Sequence, residues 1–300
     1  MPEDWRGELA RRLPRARFDE PLAKYTTFKI GGPADAFVEV EDAAQAQTAV
    51  RTAAEAGRPI FVLGWGSNLL VRDRGVRGLV VKLGGEFERV DFPGGEVVRA
   101  GAAARVPQLV VACAERGLSG LEPIVGVPGT VGGALAMNAG TRDGEIGPLT
   151  REIEALDLSE GDVRVLRGAD LKFAYREGPL RGRLALRATL LLKPGSKGDI
   201  MAAVAAYQQK RLRTQPIHTF NVGSTFKNPP GAFAARLIEQ AGLKGACVGG
   251  ARVCAIHANF IENFAGAKAS DVLALVDLIQ ERVRAAFGVG LELEMRVVGE

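Results

Sequence analysis

Two glycine-rich turns, far apart in the sequence, constrain this chain more than any other feature. The first is Gly64-Trp65-Gly66-Ser67-Asn68-Leu69, and the second, within residues 126–140, contains Gly126, Val127, Pro128, Gly129, Thr130, Gly132, Gly133, Asn138, Ala139 and Gly140. Glycine at this density costs backbone entropy, so stability alone does not favour it. Successive bare N–H groups in a turn can instead surround an anion. The two turns predict a large phosphorylated cofactor held from two sides.

Neither turn matches a common nucleotide motif. No Gly-Lys-Ser/Thr follows either turn, so neither is a P-loop, and Leu69 occupies the third glycine position of the dinucleotide fingerprint. Each turn alone is as compatible with a tight structural turn as with a ligand site. The polar side chains beside them, Ser67, Asn68, Thr130 and Asn138, favour a ligand when the two turns are taken together.

Composition narrows the class of protein. The 300 residues are enough for two or three domains, and the net charge of +4 includes no basic block interleaved with aromatic residues. This argues against nucleic acid as a partner, whereas an anionic small molecule fits a mild positive charge. An odd number of cysteines and only two histidines predict a reduced, cytoplasmic protein without a metal site. Neither a bilayer-spanning run nor a signal peptide is expected.

Strands in hairpins between scattered helices predict the α+β class. Asp42 is expected to cap a helix that ends at Gly57, and Ser270 to cap a strongly periodic helix further on. Strands are predicted for 87–92, 253–261 and 291–298, and a linker for 194–198.

Three further patches carry polar side chains suited to chemistry. Tyr175 precedes Arg176, whose planar guanidinium suits a carboxylate or phosphate. Ser224 lies in a polar turn that also includes Asn228, and Glu294 lies in the predicted final strand. A loop arginine, a turn before a helix and a solvent-facing carboxylate would look the same. The spacing alone does not show these residues converging.

As a whole, the pattern resembles the UDP-N-acetylenolpyruvoylglucosamine reductase family. The matching segments are residues 25–34, 64–70, 126–140, 175–176, 223–229, 257–260 and 294–300. They occur in the family's order and extend over nearly the whole chain. The short form after Lys227 is similar to the subclass that lacks an extra tyrosine-bearing loop, and Trp65 departs from the glycine more common in the family.

The resemblance implies an FAD-binding fold of the vanillyl-alcohol-oxidase (PCMH) type. Two FAD-binding subdomains are expected at 1–84 and 85–195, followed by a substrate-binding domain at 196–300. Both glycine turns would then contact FAD. Arg176 and Glu294 would hold the substrate carboxylate, Ser224 would donate a proton, and Tyr175 and Asn228 would contact the substrate.

The implied reaction is NADPH-dependent reduction of UDP-N-acetylenolpyruvoylglucosamine to UDP-N-acetylmuramate, a precursor of peptidoglycan. The FAD is expected to be bound non-covalently because neither turn contains histidine. A cytoplasmic monomer without metal, membrane or nucleic-acid partners is expected. One alternative is an FAD-dependent alcohol oxidase or dehydrogenase of the same fold. Another is a colourless basic module that binds UDP-sugars or nucleic acid.

Overall fold

The computed structural model describes residues 4–300, which form a mixture of short strands and helices. The helices are α1 (Trp5–Arg12), α2 (Ala43–Glu55), α3 (Val106–Ala114), α4 (Val131–Ala136), α5 (Lys197–Thr214), α6 (Ala234–Gln240) and α7 (Ala269–Phe287). The strands are β1 (Arg17–Pro21), β2 (Pro33–Val40), β3 (Ile60–Leu63), β4 (Leu69–Val71), β5 (Val76–Leu83), β6 (Val90–Gly94), β7 (Val97–Gly101), β8 (Leu118–Ser119), β9 (Gly140–Thr141), β10 (Gly144–Glu145), β11 (Thr150–Asp157), β12 (Val163–Arg167), β13 (Arg183–Leu191), β14 (Lys193–Pro194), β15 (Cys247–Val248), β16 (Ala251–Val253), β17 (Ile261–Asn263) and β18 (Arg296–Val298).

These elements divide into two compact units, each made from separate stretches of the chain. The first unit consists of the residues up to Phe18 together with Ala36–Trp65 and Gly78–Lys210. The second consists of Asp19–Asp35, Gly66–Arg77 and Arg211–Glu300. The chain therefore passes from one unit to the other between Trp65 and Gly66, inside the first glycine turn. The three-part division at 84 and 195 remains a prediction.

The first unit contains a five-stranded sheet with the order β12-β11-β13-β7-β6, antiparallel throughout. Its core joins this sheet to α3 and α4 through Leu109, Leu135 and Leu190, all essentially inaccessible to solvent. A second sheet has the order β1-β2-β5-β3, and β3 and β5 are parallel. Beside it, Asp42 caps α2 as predicted, since its carboxylate accepts a hydrogen bond from the N–H of Gln45 at 2.8 Å.

The core of the second unit is organised by α7. The periodic apolar face predicted from the sequence is buried there, and its members are Val272, Leu275, Val276, Ile279 and Val283. Strands β15, β16 and β17 form a small antiparallel sheet, and β4 pairs in parallel with β18. No helix among residues 4–300 has the length and apolar character that a bilayer crossing requires.

Three predicted strands are wrong in part. Residues 253–261 contain the end of β16 and the start of β17, separated by a turn in which the N–H of Phe260 bonds to the carbonyl of His257. Residues 87–92 begin in a 3₁₀ turn, Gly85–Glu88, before β6. Of residues 291–298, only Arg296–Val298 form a strand. In the first two cases local turn hydrogen bonds replace the ladder, whereas the segment before Arg296 bonds to the distant residues Thr225 and Lys227.

The predicted cap of α7 is also wrong. The helix begins two residues earlier than a Ser270 cap would place it, with Lys268 in the capping position. The carboxylate of Asp73 accepts hydrogen bonds from the N–H groups of Ala269 and Ser270, at 2.7 and 3.0 Å. Burial raises the pKa of Asp73, but these N–H donors outweigh burial and lower its pKa overall. The Asp73 carboxylate, distant in sequence, thus caps the N-terminus of α7, a role that the sequence had assigned to the Ser270 hydroxyl.

Candidate active site

In the first unit, the second glycine turn is held against the chain segment that precedes α3. The N–H of Val106 donates to the carbonyl of Gly129 at 3.0 Å, and the N–H of Val131 donates to the carbonyl of Ala104 at 2.9 Å. Arg105 and Thr130 are therefore the non-hydrogen-bonded pair of a two-residue ladder, with side chains close together on one face. The N–H groups of these two residues point away from the ladder.

Thr130 also begins α4, because its hydroxyl accepts a hydrogen bond from the N–H of Gly133 at 3.4 Å. The preceding residues Gly126, Val127 and Pro128 form the loop that leads into it. Gly129 has a φ of 152°, which a side chain would make unfavourable. A Cβ on Gly132 would lie 3.1 Å from the Cβ of Ala102, so glycine here permits close backbone packing. The apolar, glycine-rich sequence is thus a loop followed by one short buried helix.

The first glycine turn reaches the same place. A Cβ on Gly64 would lie 3.0 Å from the hydroxyl oxygen of Thr130. The ring of Trp65 lies against the guanidinium of Arg105, with 3.1 Å between the guanidinium carbon and the ring centroid. The structure therefore brings Gly64 and Trp65 together with Gly129 and Thr130, at a point that also holds a cation.

Asn138 links the second glycine turn to the loop that carries Arg176. Its buried side-chain amide donates to a carboxylate oxygen of Glu145 at 2.8 Å and to the carbonyl of Ala174 at 3.0 Å. Its side-chain oxygen accepts the N–H of Gly147 at 3.0 Å. The hairpin of β9 and β10, which includes Gly140, returns the chain to place Glu145 there. The side-chain bonds of Asn138 are thus structural, and its contact with a cofactor remains a prediction.

Arg176 lies at the tip of a tight turn. The N–H and carbonyl groups of Ala174 and Glu177 pair across it, and Arg176 has a φ of 60°. The turn is fixed to the end of α4, because the N–H of Gly178 donates to the carbonyl of Ala136 at 3.1 Å. A Cβ on Gly178 would lie only 1.7 Å from the carbonyl oxygen of Leu135, so no other residue fits there without movement. Tyr175 is half exposed beside the Arg176 guanidinium, which lies 4.9 Å from its ring.

In the second unit, the rest of the first glycine turn lies against residues 25–27. Thr27 donates its N–H to the carbonyl of Gly66 at 3.1 Å, and a Cβ on Gly66 would lie 2.3 Å from the carbonyl oxygen of Tyr25. Ser67 and Asn68 follow, and Leu69 begins β4. The side-chain amide of Asn68 donates to the backbone carbonyl of Glu294 at 3.1 Å. This bond places the backbone of Glu294 next to the first glycine turn.

Ser224 and Glu294 are brought to neighbouring backbone. The carbonyl of Thr225 accepts the N–H groups of Glu294 and Met295, at 2.9 and 3.2 Å. One residue further, Phe226 and Leu293 form an isolated antiparallel bridge. The segment before β18 thus pairs with the polar turn of Ser224, although it does not form the long predicted strand. Arg176 belongs to the first unit, whereas Ser224 and Glu294 belong to the second.

Asn259 fixes the turn that carries Ser224. This buried residue accepts the N–H of Phe226 on its side-chain oxygen at 2.9 Å and donates to the carbonyl of Phe226 at 2.8 Å. The ring nitrogen Nδ1 of His257 accepts the N–H of Asn259 at 3.3 Å, and burial lowers the pKa of His257. The neutral imidazole therefore acts as an acceptor here. His257 and Asn259 lie within the motif at 257–260 that carried part of the family resemblance, but the sequence alone predicted no role for either residue.

The side chain of Asn228 has a structural role in the second unit. Its side-chain oxygen accepts the N–H of Ala234 at 3.1 Å, at the first residue of α6. A role for Asn228 in binding substrate remains a prediction.

Sequence reasoning missed two charged residues of the first unit, Arg105 and Glu145. Arg105 follows three alanines in an otherwise apolar stretch. A single cation in such a stretch could have been recognised from the sequence as a candidate binding residue. Nothing local distinguishes Glu145. Among residues 4–300, no group of three or more metal-binding side chains is assembled.

Two family models match the chain. Residues 34–167 match an FAD binding domain, and residues 215–298 match the C-terminal domain of UDP-N-acetylenolpyruvoylglucosamine reductase. The relative named UDP-N-acetylenolpyruvoylglucosamine reductase from Rubrobacter xylanophilus is 44% identical over 98% of this chain and 99% of its own length. A second such reductase, from Symbiobacterium thermophilum, is 44% identical over 95% of this chain and 92% of its own.

Solved structures agree with the sequence relatives. The crystal structure of UDP-N-acetylenolpyruvylglucosamine reductase (MurB) from Thermus caldophilus matches 95% of this chain and 98% of its own, with a TM-score of 0.83 and 40% identity. A glucose dehydrogenase, Phl p 4.0202, shares 16% identity over 65% of this chain with a TM-score of 0.51. That likeness confirms the predicted FAD-binding fold alone. The chain belongs to the UDP-N-acetylenolpyruvoylglucosamine reductase (MurB) family.

Proposed function

We propose that this chain is an FAD-dependent reductase that converts UDP-N-acetylenolpyruvoylglucosamine to UDP-N-acetylmuramate with NADPH as the reductant. The observation that carries the proposal is the meeting of both glycine turns beside the Arg105 cation, within a chain whose relatives are named for this reaction. The alternative of an alcohol oxidase loses its support, because residues 215–298 match the reductase's C-terminal domain.

The residues at the glycine turns fit FAD. A Cβ on Gly64 would lie 3.0 Å from the hydroxyl oxygen of Thr130, so the absence of a side chain there lets the two turns approach closely. The N–H of Thr130 points away from its ladder, and Arg105 adds a positive charge. Bare N–H groups with a nearby cation suit a pyrophosphate. FAD, when bound, would carry two electrons from NADPH to the enolpyruvyl group.

Arg176 is assigned to the substrate carboxylate. Reduction at the β-carbon places negative charge on the α-carbon and its carboxylate, and a fixed guanidinium stabilises that charge. The tight turn at Ala174–Glu177 and its attachment to α4 support this assignment, because they fix the backbone from which the guanidinium extends.

Ser224 and Glu294 are assigned to the second half of the reaction. Ser224 donates a proton to the α-carbon, a step for which a hydroxyl is acidic enough when the carbon has carbanion character. Glu294 adjoins the same carboxylate and, as a neutral acid, donates a hydrogen bond to it. The pairing of residues 224–227 with residues 292–295 supports their joint action. Tyr175 and Asn228 are assigned to the UDP-sugar.

The protein is assigned to the cytoplasm and acts as a monomer on a soluble UDP-sugar. No bilayer, nucleic acid or metal ion takes part in this scheme.

The test separates the two half-reactions by stopped-flow absorbance. Ser224→Ala is expected to leave flavin reduction by NADPH unchanged and to slow flavin reoxidation by the enolpyruvyl sugar by roughly 10²–10⁴-fold. Ser196→Ala, an exposed serine before α5, is the matched control and should leave both steps unchanged. Equal slowing of both steps in Ser224→Ala would contradict its role as the proton donor. Purified wild-type protein without yellow colour would contradict the function itself.

A further inference from the structure

Arg105 is a cation without an anion in the described part of the chain. No carboxylate of residues 4–300 pairs with it, and its Nε–H is buried without a hydrogen-bond partner. Burial lowers the pKa of Arg105, which means that the protein environment disfavours its charge. A half-buried cation with an unpaired Nε–H would be stabilised by a bound anion.

The surroundings of Arg105 limit what that ligand can be. Trp65 covers one face of the guanidinium, so binding groups can approach only along its plane or from the other face. Its ladder partner is Thr130, and the glycine-rich turn containing Gly129 lies against it. The N-terminal end of α3, which begins at the next residue, adds further positive potential. The N-terminal end of α3 and the outward-pointing N–H of Thr130 therefore favour an anion, and the in-plane N–H groups of Arg105 match phosphate oxygens.

We infer that Arg105, held in place by Trp65, binds the pyrophosphate of FAD. This inference rests on the proposed function, since FAD is the phosphorylated ligand of that site. Both turns then hold the cofactor through one shared contact, because Trp65 comes from the first turn and Arg105 is paired with the second. Stacking against Trp65 keeps the guanidinium plane fixed, so little side-chain entropy is lost when the phosphate binds.

The chain provides a matched control. Arg116, just beyond the other end of α3, lies over the ring of Phe92 with 3.9 Å between the guanidinium carbon and the ring centroid. Its side chain is exposed, and it donates to the carbonyl of Ala112 at 3.0 Å. It is a stacked arginine at the opposite end of α3 from Arg105, and it belongs to neither of the two glycine-rich turns.

The experiment measures binding of FAD and riboflavin to the apoprotein by flavin fluorescence, for wild type, Arg105→Gln, Arg105→Lys and Arg116→Gln. Loss of a charged hydrogen bond is expected to weaken FAD binding to Arg105→Gln by about 10- to 100-fold. Riboflavin has no phosphate, so its affinity should change by less than about twofold. Arg105→Lys should fall between, since it keeps the charge without the planar fork. Arg116→Gln should bind both flavins as wild type does.

A second readout follows the phosphorus atoms directly. The ³¹P resonances of bound FAD should shift in Arg105→Lys and remain unchanged in Arg116→Gln. Two results would overturn the inference: FAD binding to the Arg105 variants as tight as wild type, or an equal loss for FAD and riboflavin, which would reveal a packing role only. If Arg105→Gln does not fold, as judged by circular dichroism, Arg105→Lys decides alone. Failure of the wild-type protein to bind FAD would overturn the proposed function as well.

Discussion

Removal of the Asn138 side chain should be among the most destabilising single changes in the first unit. Asn138 is 2% exposed, and its amide makes three hydrogen bonds, one of them to the carboxylate of Glu145. Its φ of 43° also lies in the left-handed region, which asparagine tolerates better than alanine. The change Asn138→Ala therefore removes both a set of bonds and a backbone preference.

The magnitude can be worked from these contacts. Each neutral hydrogen bond contributes about 1 kcal/mol and the bond to Glu145 about 1.5–3 kcal/mol, while alanine at this φ costs about 1 kcal/mol more. The free energy of unfolding should fall by about 4–6 kcal/mol, since the bond to Gly147 is buried and the other two bonds are part-buried. At about 2–4 °C per kcal/mol for a unit of this size, the thermal midpoint should fall by at least roughly 8 °C.

Thermal unfolding followed by circular dichroism tests this expectation against two controls. Asn228→Ala removes a single part-buried bond to the start of α6 and should cost about 1 kcal/mol. Asn138→Asp keeps the shape and the acceptor for Gly147 but places a second carboxylate against Glu145. Repulsion between the two carboxylates should destabilise this variant as well. A midpoint for Asn138→Ala no lower than that of Asn228→Ala would refute the reasoning.

Three further outcomes are expected. Thr225→Val should leave the free energy of unfolding unchanged or raise it by about 1 kcal/mol, because the buried hydroxyl of Thr225 has no hydrogen-bond partner among residues 4–300; a loss above about 2 kcal/mol in urea unfolding would contradict this. Burial raises the pKa of Cys113 to about 12, so it stays a neutral thiol at pH 8.5, and iodoacetamide should label the exposed Cys247 and leave Cys113 unmodified in mass spectra. Glu294→Gln should lower kcat less than Arg176→Ala or Glu294→Ala, since an amide still donates a hydrogen bond; equal losses for Gln and Ala at 294 would indicate an acid or base instead.

The sequence predicted the elements whose ends are marked by neighbouring residues. Helix α2 has its cap and its stop within its own segment, at Asp42 and Gly57, and β3 is a short apolar run ended by a glycine turn. The family, the FAD-binding fold and the α+β class were also predicted, because segments spread along the whole chain carried the resemblance. The helix and strand ends depend on residues close together in the sequence, and the family resemblance depends on motifs that occur in a fixed order along it.

The parts that depend on distant partners were not predictable in this way. Asp73 caps α7 across 196 positions of sequence, which no local pattern at Ser270 could reveal. The extended segment before β18 bonds to Thr225 rather than to a continuous strand, so its alternating pattern indicated more regular structure than exists. At the candidate site, the sequence pointed to Arg176 and Asn138 but not to Glu145, nor to the side-chain contacts through which Asn138 fixes the loop of Arg176.

The pairing of β4 with β18 also affects how the chain is made. The bond between Asn68 and Glu294, next to this pairing, spans 226 positions. At about 5–20 residues per second, the ribosome needs roughly 11–45 s to extend the chain that far. Throughout that interval, β4 has been synthesised while the strand that satisfies its backbone has not. An unpaired apolar edge of this kind is a substrate for chaperones and a starting point for aggregation. The second unit therefore completes its fold late in synthesis, and its yield depends on how well the newly made residues 66–77 are protected.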